Sequence, residues 1–281
     1  MKTHIVIALG LIGFLSVAHG TAQNRQVSVG FCIPLRSLES AKAAGFDYAE
    51  LSTSEIAGLS DADFEQAAAH IRQVGLPVPA MNLFLPAELK VTGPAIDREQ
   101  QMAYVRKAFT RLQRLGTQMV VFGSGGARRV PDGFPKDQAF QQLVDFGRRI
   151  APEARARGIT ITVEPQRREE TNIINSAAEG LDLVNAIGDP NFQLMIDFYH
   201  LASEKEDAAI IVRAGAHIRH LHTANPDGRV FPRTWDEYDY APFFAALRTI
   251  GYDKRISVEA STKDLPADAP LAIALLRRAF Q

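Results

Sequence analysis

Residues 158–165 read Gly-Ile-Thr-Ile-Thr-Val-Glu-Pro, residues 176–187 read Ser-Ala-Ala-Glu-Gly-Leu-Asp-Leu-Val-Asn-Ala-Ile, and residues 193–200 read Gln-Leu-Met-Ile-Asp-Phe-Tyr-His. The outer two segments are short and uncharged until each meets a carboxylate, Glu164 or Asp197. Such runs suit strands buried on both faces of a parallel sheet. The middle segment is longer and amphipathic, a helix candidate. Together they form one strand–helix–strand unit in which both strands end on an acid.

The same alternation extends in both directions. Strands are expected at 27–33, 48–51, 78–84, 119–123, 159–164, 193–197, 218–223 and 255–260. Helices are expected at 38–44, 61–74, 98–115, 136–157, 176–187, 207–214, 240–250 and 266–280. Gly45, Gly75, Gly116, Gly158 and Gly251 stand just before strands, where helix C-caps belong. Eight strand–helix units in one chain of this length are the count of an α/β fold of the (β/α)8 TIM barrel type, a single domain. A doubly wound sheet would carry a Gly-rich phosphate-binding first turn, and none is present. Gly123-Ser-Gly-Gly126 is not that fingerprint, because Arg stands at 128 where its spacing needs Gly. Loops 85–97 and 126–135 follow strands and so belong on the C-terminal face of the barrel.

The chain has 281 residues, 46% of them hydrophobic and 22% charged, and a net charge of −1. That excludes wholesale disorder and gives no basic footprint for nucleic acid. One cysteine rules out a disulfide framework and Cys-rich metal sites, and Cys32 is read as a small core residue. Residues 1–22 have the grammar of a signal peptide: Lys2, an apolar run over 5–18, and small residues at 18, 20 and 22. The run falls short of the roughly 20 residues of a membrane span. The expectation is an exported protein, periplasmic in a Gram-negative cell, with the barrel over 27–281 and no stable membrane span after cleavage.

Barrel enzymes keep their chemistry where strands end. The last four strands end on Glu164, Asp197, His220-Leu-His222 and Glu259. Taken singly, Glu164 also suits a helix-capping acid and Asp197 an arginine partner. Taken together, three converging acids would repel one another, and a divalent cation resolves that repulsion. Three oxygens and one nitrogen suit Mn²⁺, Mg²⁺ or Co²⁺ better than a closed zinc site. His220 and His222 share a strand face, so one is a ligand candidate and the other a second-layer core residue. His217, at the far end of that strand, is read as structural, and His70, in mid-helix, as solvated. Arg128 and Arg129 suit either phosphate recognition or pairing with acids. Trp235 and Tyr238 suit either a sugar-stacking lid or helix-start packing.

With these residues the chain resembles the xylose isomerase-like barrels of the sugar isomerase/epimerase group, which includes ketose 3-epimerases, hydroxypyruvate isomerase, inosose dehydratase and endonuclease IV. The resemblance covers residues 27–281. It rests on Val163-Glu-Pro165, Glu170-Thr-Asn172, Asp197-Phe-Tyr-His200, His220-Leu-His222 and Gly251-Tyr252 leading to Ser257-Val-Glu259, with Phe122 to Pro131 as a subgroup signature. It implies Glu164, Asp197, His222 and Glu259 as metal ligands. It also implies Glu164 and Glu259 as the acid/base pair, and Glu170 and His200 as substrate contacts. The arginine expected six residues after the ligand histidine is displaced by one, to Arg229, with Gly at 228. Endonuclease IV-like chains need further histidines after strands three and four, where this chain has Asn82 and Gly123-Ser124. Xylose isomerase proper has an acid where His222 stands.

The resemblance thus implies an isomerase that uses one divalent ion, Mn²⁺ ahead of Mg²⁺, Co²⁺ or Zn²⁺, on a small sugar. The reaction would pass through an enediolate. The same residues would serve a lyase or dehydratase acting on a keto-sugar or 3-keto-glycoside, with or without a partner subunit. A non-catalytic sugar-binding subunit is the reading from outside enzymology, and a homo-oligomer is compatible with all three. Export favours a free sugar over a phosphosugar.

Overall fold

A computed structural model describes residues 27–281, so the signal-peptide expectation over 1–22 lies outside the described residues. Eight parallel strands form a closed barrel in chain order. They are β1 Ser28–Cys32, β2 Tyr48–Ser52, β3 Ala80–Asn82, β4 Met119–Phe122, β5 Thr160–Val163, β6 Phe192–Asp197, β7 Ile218–Thr223 and β8 Arg255–Val258. Closure comes from β1 against β8, in register from Ser28↔Arg255 to Phe31↔Val258.

All eight expected strands occur, and the expected long helices follow them with ends shifted by a few residues. The third strand is shorter than its apolar run. Pro79, which has no N–H for a ladder, precedes it. Leu83, at φ 46°, ends it. Three short helices were not expected: Thr53–Gly58, Gly125–Arg128 and Phe198–Ser203. The first and third start at the ends of β2 and β6, where Ser52 and Asp197 accept hydrogen bonds from the backbone N–H groups of Glu55 and Tyr199. Loops 85–97 and 126–135 are knitted together on the C-terminal face, Val91 N–H donating to Ala127 O and Thr92 Oγ1 to Arg128 O.

Strand alternation splits the interior into two environments. The outward faces of the strands join the helices in one large apolar core, with Val29, Leu51, Met81, Val120, Ile161, Leu194, Leu221 and Ile256 among its members. The lumen holds Tyr48, Ala80 and Met119 as a small separate apolar cluster. Above it the lumen turns polar, with Glu50, His220, His222 and Ser257 all fully buried. No helix of the described residues is long and apolar enough to cross a membrane.

Gly30 lets the Tyr48 ring lie across β1, and a methyl group there would overlap that ring. Gly30→Ala is therefore expected to cost about 1–3 kcal/mol by overpacking, lowering the melting temperature by several degrees in a thermal scan. An unchanged melting temperature would show that the lumen can give way.

Candidate metal and active site

Four strand ends on one rim deliver the site. Glu164 follows β5, Asp197 closes β6, His222 is the fifth residue of β7, and Glu259 follows β8. One ligand atom from each lies within 4.8 Å of all the others. His222 Nδ1 is 3.5 Å from Glu164 Oε1 and 3.3 Å from Glu259 Oε2. Glu164, Asp197 and His222 are each held by one atom and leave another toward the centre, whereas Glu259 faces the centre with the same Oε2 that Arg229 holds. Gln166 Nε2 donates to Glu164 Oε2 at 3.0 Å, and the Tyr199 N–H donates to Asp197 Oδ1 at 2.9 Å. His222 Nε2 meets Glu50 Oε1 at 2.9 Å, and Arg229 Nη2 donates to Glu259 Oε2 at 2.6 Å.

The remaining atoms Glu164 Oε1, Asp197 Oδ2 and His222 Nδ1 are buried without a hydrogen-bond partner. Each such atom ordinarily costs about 1–3 kcal/mol. Three orphaned lone-pair atoms and a neighbouring carboxylate, converging on one point, fit a divalent cation. The mostly oxygen donor set suits Mn²⁺, Mg²⁺ or Co²⁺.

Sequence reasoning missed the group beneath this cluster. Glu50, on β2, is fully buried. Its Oε1 faces His222 Nε2, while its Oε2 faces His220 Nε2 at 2.8 Å and accepts from Ser257 Oγ at 2.6 Å. Ser257 Oγ lies 2.7 Å from Tyr48 Oη. With its Nε2–H bound to Glu50, His222 can offer a lone pair only from Nδ1, the nitrogen that faces the acids. The signal was an acid inside the apolar run Tyr48-Ala-Glu-Leu51. Of the two histidines left open by the sequence, His222 turns to the cluster and His220 to Glu50.

The glycines of Gly123-Ser-Gly-Gly126 make room for this machinery. A side chain at Gly123 would collide with the Glu164 carboxylate, and one at Gly125 with Gln166. Arg128 lies behind them, fully buried beside the Phe122 ring, donating to Phe122 O and to Gln166 Oε1. It is sealed from any phosphate. Arg129 donates to Glu170 O instead.

The remaining three site residues expected from the sequence gather on the same cluster. His200 Nε2 lies 3.7 Å from Asp197 Oδ2, 3.9 Å from Glu164 Oε1 and 3.8 Å from Glu170 Oε2. Its Nδ1 accepts from Arg167 N–H, which puts the ring proton on Nε2, facing the acids. Arg229, at φ 50°, spans Glu170 and Glu259 with its guanidinium 4.5 Å over the Tyr199 ring. Beside Arg229 and Glu259 a cleft of about 860 Å³ opens toward β1–β3.

Cys32 is not a core residue: it is half-buried, lines the cleft, and lies 3.8 Å from His222 Nε2. Its position at the C-terminal end of β1 puts it on the rim. His217 meets Gln193 Oε1 at 3.0 Å away from the site, and His70 lies 3.3 Å from Glu39. Trp235 packs on Tyr240 and Phe244, and Tyr238 on Phe198, so both serve helix-start packing.

The sequence signature described as the xylose isomerase-like TIM barrel matches residues 38–279. The chain belongs to this family. Among its relatives, an L-ribulose 3-epimerase of Mesorhizobium japonicum is 28% identical over 234 residues, covering 82% of this chain and 76% of the relative. A D-psicose 3-epimerase of Ruminiclostridium cellulolyticum is 27% identical over 237 residues, covering 79% and 76%. The crystal structure of a D-allulose 3-epimerase from a Methylomonas species superposes with a TM-score of 0.78 at 23% identity, covering 91% of this chain and 98% of that one, and so shares the fold.

Burial, with Glu259 and Glu164 beside it, raises the Asp197 carboxyl to about 6. Burial alone would also raise Glu164, but His222, His200 and Arg128 outweigh it and hold it at about 2. Burial disfavours charge on His222, yet Glu50 and Glu259 hold its pKa well above the usual histidine range. A cation at the cluster must therefore displace a proton from His222, and below about pH 6 one from Asp197 as well. Apparent Mn²⁺ affinity is expected to climb roughly a hundredfold per pH unit below that point and roughly tenfold per unit above it. Titration calorimetry in buffers of different ionisation enthalpy counts the protons directly, and a pH-independent affinity would contradict this protonation scheme. Glu50→Gln is expected to weaken Mn²⁺ binding by roughly 10–100-fold in equilibrium dialysis. Unchanged affinity would show that His222 holds its orientation unaided.

Proposed function

We propose that the chain is a divalent-metal-dependent sugar isomerase of the epimerase type. The observation that carries this reading is the convergence of Glu164 Oε1, Asp197 Oδ2 and His222 Nδ1, buried and unpartnered, beside the Glu259 carboxylate. The names of its relatives, L-ribulose and D-psicose 3-epimerases, support the reaction class. The leader-like composition of residues 1–22 supports export and a free rather than phosphorylated sugar.

In this reading Glu164, Asp197, His222 and Glu259 hold the ion, with Mn²⁺ the best fit. When bound, the ion supplies Lewis acidity that makes the C–H beside a sugar ketone acidic. The chain supplies the rest. Glu164, ionised at neutral pH, and Glu259 approach from β5 and β8 with two strands between them. One of the pair, as the carboxylate, takes the α-proton, leaving an enediolate; the other, entering the cycle as the carboxylic acid, gives its own proton to the opposite face of the same carbon, and proton exchange with solvent resets the pair. The Nε2–H of His200 and the Glu170–Arg229 pair bind and orient sugar hydroxyls. The fixed charge of Arg229 steadies Glu259 and faces the oxyanion that develops.

The test is solvent-deuterium incorporation into free ketohexoses in D₂O, beside elemental analysis of the purified chain. About one divalent ion per chain and exchange at the carbon next to the ketone are expected. Glu164→Gln and Glu259→Gln should each lower turnover on the order of a thousandfold, whereas His200→Ala should act mainly on KM. Full activity in Glu259→Gln would overturn the two-base scheme, and absence of both metal and exchange would overturn the enzyme itself.

A further inference from the structure

The cleft beside the cluster has more room and more recognition chemistry than one sugar ring uses. At the ~30 Å³ that a water-sized group occupies, the twelve non-hydrogen atoms of a hexose take at most about 360 Å³. The cleft holds about 860 Å³, so more than half remains after the reacting ring is placed in it. Glu259 and Arg229 line its inner end, while Ile33, Ser52, Asn82 and Leu83 line the side toward β1–β3.

That outer side is a built surface. Ser52 and Asn82 are register partners at the ends of β2 and β3. Asn82 is only 7% exposed, yet among the described residues its carboxamide has no hydrogen-bond partner. An amide at the end of a mostly buried side chain that opens on a cleft has both a donor and an acceptor to offer a ligand. Next to it Leu83 is 52% exposed and sits at φ 46°. An apolar side chain is thus presented at the rim by a backbone conformation that leucine disfavours. An amide, a hydroxyl and apolar side chains side by side match a sugar ring, which alternates hydroxyl groups with C–H faces.

The charge pattern does not suit a phosphate tail. Among the described residues Arg229 is the sole cationic side chain lining the cleft, and Glu259 and Glu170 already hold it; the outer end carries Glu55.

We propose that the substrate carries a second sugar ring, seated against Asn82 and Leu83, joined to the ring that reacts at the cluster. This rests on the isomerase reading above and names its substrate class. A glycosidic bond at the reacting ring blocks its anomeric carbon, so the ketone that acidifies the C–H lies within the ring. An oxidation of a ring alcohol must then supply the substrate.

The experiment compares three probes in D₂O with the Mn²⁺-loaded full chain: a disaccharide with a ketone on its non-reducing ring, the methyl glycoside of that same keto-ring, and a free ketohexose. Deuterium incorporation beside the ketone is followed by NMR. The disaccharide is expected to show at least a tenfold higher kcat/KM than the methyl glycoside, mostly through KM. Asn82→Ala and the surface variant Leu83→Ser should each shrink that ratio. Exchange on the methyl glycoside or the ketohexose with no disaccharide advantage overturns the second ring and leaves the isomerase standing. No exchange on any probe overturns the isomerase reading, and this proposal with it.

Discussion

A single buried carboxylate, Glu50, sets the geometry on which the rest of the site depends. It has no access to water and meets His222, His220 and the Ser257 hydroxyl within 2.6–2.9 Å. An isolated anion in such a place would be expelled or protonated. Here burial alone would raise the pKa of Glu50, but the two imidazoles outweigh it and hold it well below the usual carboxylate range. The same bonds tie β2 to β7 and β8 across the lumen. They orient the His222 ring, and with it the nitrogen that faces Glu164, Asp197 and Glu259.

Around that anchor the barrel divides its two faces between stability and chemistry. The outward faces supply the apolar core shared with the helices. The lumen above Tyr48 is given to polar groups, most of them satisfied by one another and a few left unpaired toward the cluster. Backbone without side chains makes this packing feasible. Gly30 admits the Tyr48 ring, and Gly123 admits the Glu164 carboxylate. The short helices after β2 and β6 continue the same economy of parts, because Asp197 caps one of them with Oδ1 while its Oδ2 remains for the site.

Much of the site was legible because it is built from strand ends. Glu164, Asp197, His222 and Glu259 stand where four successive apolar runs stop, and a closed parallel barrel brings such positions to one rim whatever the loops do. Glu170, His200 and Arg229 lie within a few residues of those ends and were reached through resemblance; the structure places all three against the cluster. Glu50 was passed over because an acid in a strand says nothing of its partners until β2 faces β7. Cys32 was misassigned for a related reason: a small residue at a strand end is core or rim according to which way that end points.

The order of eight strand–helix units and the row of acids at strand ends were determined by the sequence alone, because apolar periodicity and strand termini are local properties. Which imidazole nitrogen faces the acids, which glycine yields to which side chain, and that Arg128 is sealed while Arg229 bridges Glu170 and Glu259 were decided only by the tertiary structure. These are contacts between residues tens to nearly two hundred positions apart, and no local pattern encodes them. The direction of the cleft belongs with them. Asn82 and Leu83 acquire a role only because closing the barrel sets β3 and β8 on opposite sides of β1 and β2, around one opening.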